Sequence, residues 1–125
     1  MSDRETTSAA ARAWIDGYVR AWESNDPDDI RALFTDDAEY RTEPWLPPVA
    51  GSDAIVADWL ERRDEPGSFT FEWDVVAVDG PLAFVQGETR YTSGTLYSNL
   101  WVIALGDHGR ATAFTEWWMD QSKAS

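Results

Sequence analysis

Among the titratable side chains of this sequence, Glu116 occupies the least hospitable setting. It sits within Phe114-Thr115-Glu116-Trp117-Trp118-Met119, a run that is aromatic and β-branched and follows the turn Gly106-Asp107-His108-Gly109. Such a run reads as a strand, and strand periodicity puts Phe114, Glu116 and Trp118 on one face. A carboxylate between two rings is costly unless it is hydrogen-bonded, paired or used. Desolvation there raises its pKa towards neutral pH, where it can move a proton as general base or acid. Tyr18 and Tyr40 supply hydroxyls that could hold an oxyanion or an attacking water. The plainer alternative pairs Glu116 with Arg41 or Arg90 as a structural ion pair. Glu43, beside Pro44 in a loop, reads as solvated, and His108, flanked by glycines, as exposed. Asp26, Asp28 and Asp29 cluster at a helix start, where the helix dipole favours acids. No His pair, inward acid cluster, phosphate-binding glycine loop or nucleophile elbow is present, so neither a metal nor a cofactor is expected.

These residues need elements to position them. A helical apolar stripe runs from Thr7 or Ser8 to about Glu23, through Ala10, Trp14, Tyr18 and Trp22 with Ala11, Ile15 and Ala21 beside them. Residues 1–6 read as frayed. Asp26-Pro27-Asp28-Asp29 is a capped start for a short helix to about Phe34. A strand follows from Ala38 to Thr42, with Tyr40 and Thr42 on one face. The proline-rich stretch from Glu43 to Gly51 cannot be regular and carries Trp45 and Leu46 as a cap over something apolar. Ser52 caps a third helix to about Arg62, with Ile55, Trp59 and Leu60 inward. Four strands then follow at roughly 69–78, 82–92, 95–105 and 111–119, joined by short turns as antiparallel hairpins. Helices first and strands last give an α+β fold, a single domain over residues 1–125 with helices packed on one face of a curved sheet.

The cavity is expected between the helices and the inner sheet face. Its walls are assigned to Tyr18, Trp22, Tyr40, Trp45 and Trp59, and to Leu100, Val102, Phe114 and Trp118 from the strands. That composition, mostly apolar with a few polar groups, suits a small molecule. The alternative is that the rings fill the space completely. The strands are apolar on both faces, as in Leu100-Trp101-Val102-Ile103, and this predicts a homodimer through the outer sheet face. Eight tryptophans in 125 residues agree with either a lined pocket or a subunit interface. A net charge of −13 argues against nucleic acid and anionic membranes as partners. The lack of cysteine, of a signal-peptide pattern and of a membrane-length apolar run points to the cytoplasm.

Two runs carry a resemblance to the cone-shaped NTF2-like superfamily, in its SnoaL-like branch. Tyr18 to Ala38, reading helix, Asn-Asp-Pro turn, helix and acidic turn, resembles bacterial ketosteroid isomerases. Tyr40 to Ile55, with Ser98-Asn99-Leu100 and Phe114 to Trp118 downstream, resembles limonene epoxide hydrolases. The resemblance implies a cone-shaped curved antiparallel sheet wrapped around three N-terminal helices. It implies that Tyr18 takes the place of the isomerase tyrosine that hydrogen-bonds the enolate oxygen. The isomerase base, an Asp before a Pro, corresponds to Glu43 or, with a one-residue shift, to Thr42. Against the epoxide hydrolases, Tyr40 and Thr42 match the water-positioning pair and Glu116 one acid of an Asp-Arg-Asp triad. The other two members fall on Thr89 and Gly87, so hydrolysis by that mechanism is not expected. The superfold hosts isomerases, hydratases, cyclases, hydrolases and binders. Two functions therefore stand side by side. One is a cofactor-independent acid–base enzyme acting on an apolar cyclic, polyketide- or terpene-like molecule, with Glu116, Tyr18 and Tyr40 catalytic. Trp22, Thr42, Trp45, Trp59, Thr89, Leu100, Val102, Phe114 and Trp118 would then contact the substrate. The other is a non-catalytic ligand-binding or dimerising module.

Overall fold

The computed structural model describes residues 3–42 and 45–123; Glu43, and with it any role for that acid, lies outside them. Helix α1 spans Asp3–Ser24, starting before the expected Thr7. Polar residues before the apolar stripe extend the helix because nothing in Arg4-Glu5-Thr6 breaks it. Its buried face is Ala11, Trp14, Ile15, Tyr18 and Ala21, the three- and four-residue spacing of an amphipathic helix. Asn25 ends it in a left-handed conformation (φ 52°), its N–H reaching the Ala21 carbonyl at 2.8 Å.

Helix α2 is Pro27–Arg31. The Asp26 side chain caps it by accepting from the Asp28 N–H at 2.9 Å, with Pro27 in the first turn. It stops three residues short of the expected Phe34, and strand β1 occupies Phe34–Arg41. Phe34 is bulky and aromatic, and packing it edge-on against Trp14 (5.9 Å) is compatible with an extended backbone. The Trp14 indole N–H donates to the Leu33 carbonyl at 2.7 Å and clips α1 onto this junction.

The proline-rich stretch is less irregular than expected, because Val49–Ala50 forms a short strand β2 against β1. Trp45 and Leu46 cap nothing; they are exposed, Trp45 to 76%. Helix α3, Ser52–Glu61, is capped by Gly51 rather than Ser52, without a side-chain bond. Gly51 has φ 92°, a conformation suited to glycine, and this moves Ser52 one place into the helix, where it is buried.

Strands β3 (Phe69–Asp79), β4 (Leu82–Tyr91), β5 (Leu96–Leu105) and β6 (Ala111–Asp120) match the expected hairpin meander to within a residue or so. The six strands form one curved, unclosed sheet in the order β2-β1-β6-β5-β4-β3. It is mixed rather than wholly antiparallel, since β1 lies parallel to β6, with Tyr40 level with Phe114. The chain between them, through β2, α3 and the β3–β5 meander, is long enough for that crossover. The concave face receives α1. Trp14, Tyr18, Phe34, Phe114 and Trp101 meet there with ring centroids 4.6–5.9 Å apart in successive pairs. Phe71 stacks on Trp101 (4.7 Å, 20°) and closes the packed end.

Candidate functional site

At the other end the cone stays open, as a cavity of about 510 Å³ between α1, α3 and the inner faces of β4, β5 and β6. That volume falls in the range of small-molecule sites. Tyr18, Trp22, Tyr40, Thr42, Trp59, Thr89, Glu116 and Trp118, all selected from the sequence, line it.

Four expected lining residues lie elsewhere. Phe114 is fully buried in the core layer beneath the cavity. Trp45 is in the exposed loop. Leu100 and Val102 sit on the outer sheet face: Trp101 pairs directly with Glu116 across the β5–β6 ladder, and opposed residues share a face. Leu100 and Val102 alternate with Trp101 and therefore point outward. The inner residues of β5 are Tyr97, Asn99, Trp101 and Ile103.

Glu116 accepts the Tyr40 hydroxyl proton at 3.0 Å, and Tyr40 lies 3.3 Å from the Tyr18 hydroxyl. Tyr40 has one proton and it is committed to Glu116, so Tyr18 donates to Tyr40. Three side chains from α1, β1 and β6 thus form one directional chain, Tyr18 to Tyr40 to Glu116. Neither Arg41 nor Arg90 pairs with Glu116; they reach Glu39 and Glu88 on the surface.

Burial pushes the Glu116 carboxyl up from the usual carboxylate range. The Tyr40 hydrogen bond, the Arg62 charge and the Trp101 indole N–H pull it back in part, and the Asp64 charge adds to the rise. The Trp101 N–H is buried without a hydrogen-bond partner, on the residue that pairs with Glu116 across the ladder. Tyr18 and Tyr40 are held well above the ordinary phenol value, first by burial and then by the Glu116 charge. Both therefore stay protonated donors at any physiological pH, while Glu116 is the group poised to exchange a proton.

The rest of the wall is more polar than the sequence suggests. Thr89 and Asn99 are buried on the sheet and joined by a 2.7 Å hydrogen bond from the threonine hydroxyl to the amide oxygen. Asp64, in the loop after α3, takes the Trp22 indole N–H at 2.8 Å and the Tyr91 hydroxyl at 2.9 Å, both on Oδ2. Asn25 fixes the Asp64 backbone carbonyl at 3.0 Å and itself accepts from the Trp59 indole at 3.3 Å. Arg62 pairs with Asp58, and Arg63 donates to the Leu60 carbonyl. Sequence reasoning missed Asp64, Tyr91, Asn99 and Arg62. Asn99 was missed because placing Leu100 and Val102 inward turns it outward. No signal in the sequence folds the Asp64 loop over the cone. Among the described residues no three His, Cys, Asp or Glu side chains converge as a metal site.

A curved sheet wrapped around helices with one open end is the NTF2-like cone. Residues 15–122 match the SnoaL-like domain model, so the chain belongs to the SnoaL-like family. Among solved structures, a candidate ketosteroid isomerase from Kribbella flavida aligns with a TM-score of 0.72 at 19% identity, covering 100% of this chain and 86% of that one. A steroid delta-isomerase from Pseudomonas aeruginosa gives 0.64 at 18% identity, with 91% and 82% covered. An LEH-like epoxide hydrolase from M. tuberculosis gives 0.61 at 16% identity, with 94% and 86% covered. At such identities the likeness is one of fold. No curated protein matches the chain.

Proposed function

We propose that this protein is a cofactor-independent acid–base enzyme acting on a small molecule with an apolar ring body, of the isomerase or cyclase type. The observation that carries this reading is the Tyr18–Tyr40–Glu116 chain opening into a cavity of about 510 Å³. Glu116, raised by desolvation, takes a proton from an acidic carbon or returns one to it. Once Glu116 holds the proton it no longer needs the Tyr40 hydroxyl, and Tyr40 and Tyr18 turn their O–H groups to the substrate oxygen on which charge develops. The similar isomerases support the class. Epoxide hydrolysis through an acid–arginine pair is disfavoured, since Thr89 is spent on Asn99 and Gly87 carries no side chain. Apolar cyclic, polyketide- and terpene-like molecules remain the scaffolds to test.

A non-catalytic binding module is the second reading, favoured by the fact that Glu116 is already satisfied by Tyr40. Tryptophan fluorescence against steroids, aromatic polyketides and terpenoids identifies binders, and Glu116→Gln then separates the two. A variant that binds as wild type does but loses turnover by roughly 10²- to 10⁴-fold supports the enzyme. Ligands bound equally by both proteins, with no turnover by wild type, support the binder.

The outer sheet face supports a homodimer, because Val76, Leu100, Trp117 and Met119 are 41–70% exposed there, an apolar patch that a second copy would cover. A cysteine-free chain suits the cytoplasm, and no helix among the described residues is long and apolar enough to cross a membrane.

A further inference from the structure

The cavity has two polar poles, and the chemistry above uses one of them. The second is the Asp64 carboxylate. Oδ2 is saturated by two donors, the Trp22 indole and the Tyr91 hydroxyl, while Oδ1 receives none from the described residues and belongs to a side chain lining the cavity. Four residues from α1, the α1–α2 link, α3 and β4 are committed to this one loop acid: Trp22 and Tyr91 to its carboxylate, Asn25 to its backbone, Trp59 to Asn25. A carboxylate held this firmly, with one oxygen unused, is a directed acceptor. Neither neighbouring cation occupies it: Arg62 is paired with Asp58, and the Arg63 guanidinium donates to the Leu60 carbonyl. Asp64 and Glu116 line the same cavity, so both poles face one occupant.

We infer that Asp64 Oδ1 is a ligand-anchoring site that accepts a hydrogen bond from a hydroxyl or protonated amine, at the end of the substrate remote from the carbon that meets Glu116. The substrate class is therefore a ring molecule polar at both ends, with a hydrogen-bond donor at the mouth. A carboxylate, a phosphate or a carbonyl there finds no donor on Asp64. The inference rests on the ligand-binding reading above.

Four probes test it by isothermal titration calorimetry on the full chain: a naphthol, and the same naphthol bearing a hydroxymethyl, an aminomethyl or an acetyl group on its far ring. Wild type is expected to bind the two donor-bearing probes roughly ten- to a hundredfold more tightly than the parent naphthol, the range for a hydrogen bond to a charged acceptor. The acetyl probe, whose far-ring group can only accept, gains nothing. In Asp64→Asn the amide oxygen still serves Trp22 and Tyr91, and Nδ2 replaces Oδ1. The donor advantage over the parent naphthol then disappears and the acetyl probe becomes the favoured one. An unchanged donor advantage in Asp64→Asn overturns the inference, as does a wild-type affinity order in which acetyl equals hydroxymethyl. That order is read on wild type alone and decides the question even if Asp64→Asn does not fold. Parent naphthol bound without any donor gain removes the Asp64 site and leaves the cavity standing; no binding of any probe removes both.

Discussion

Glu116 and Tyr40 are coupled through a single proton, and that coupling sets the pH behaviour of the site. The native protein keeps Glu116 protonated at pH values where the unfolded chain has lost that proton. Over the interval from the ordinary carboxylate value up to the raised one, the unfolded state binds fewer protons, so stability falls as pH rises. Glu116→Gln lacks this loss. Thermal unfolding followed from pH 4 upward should therefore show wild type falling behind Glu116→Gln across that interval, with a constant gap above it. Tyr40→Phe removes a hydrogen bond that lowers the Glu116 pKa and strands the Tyr18 hydroxyl. Its rate profile should move to the alkaline side, with turnover down about 10²-fold or more. Absence of any shift in the profile would separate Glu116 from the chemistry. This part of the site was legible in the sequence because an acid among aromatics is a conflict between local environment and charge. Asp64 was not, since its neighbours Arg63 and Glu65 are as polar as itself and its partners are 27 and 42 residues away.

Strands and turns were legible where the sequence alternates or breaks, and ambiguous where it does neither. The hairpin boundaries follow from Asp79-Gly80-Pro81 and Ser93-Gly94. The face assignment in β5 does not, because Leu100-Trp101-Val102-Ile103 is apolar at both parities and a register shift sits between Ala104 and Leu105. The end of α2 was misplaced for a related reason: Leu33 and Phe34 continue a helical spacing, and only their packing on Trp14 shows that the chain has already become extended. Gly87 in β4 lies beneath Phe71, and a Cβ there would stand 2.7 Å from two of its ring carbons and 2.9 Å from the Glu72 carbonyl. Gly87→Ala should destabilise the protein by about 1–3 kcal/mol in denaturant titration, by pushing Phe71 off Trp101. A larger side chain at this position, as a hydrolase-like triad would need, cannot be added without rebuilding the packed end of the cone.

For the molecule as a whole, charge and exposed apolar surface act on different scales. The net charge of −13 repels itself in the compact state, so the thermal midpoint should rise as salt is added from low ionic strength, and a midpoint insensitive to salt would remove self-repulsion as a factor. The outer sheet patch is the interface of the proposed dimer. Met119→Lys combined with Trp117→Arg should yield a folded monomer by sedimentation where wild type is a dimer; a wild-type monomer would remove the proposed interface. Finally, the parallel pairing of β1 with β6 joins Tyr40 to a partner 76 residues later. A ribosome adding roughly 5–20 residues per second takes about 4 to 15 s to cover that distance. Until β6 is made the nascent chain carries β1 with one edge open, and Trp14 and Tyr18 without Phe114 over them. Chaperones that recognise exposed aromatic segments have their opportunity in this interval, and no ligand can shorten it, because Glu116 and Trp118 have not yet been translated.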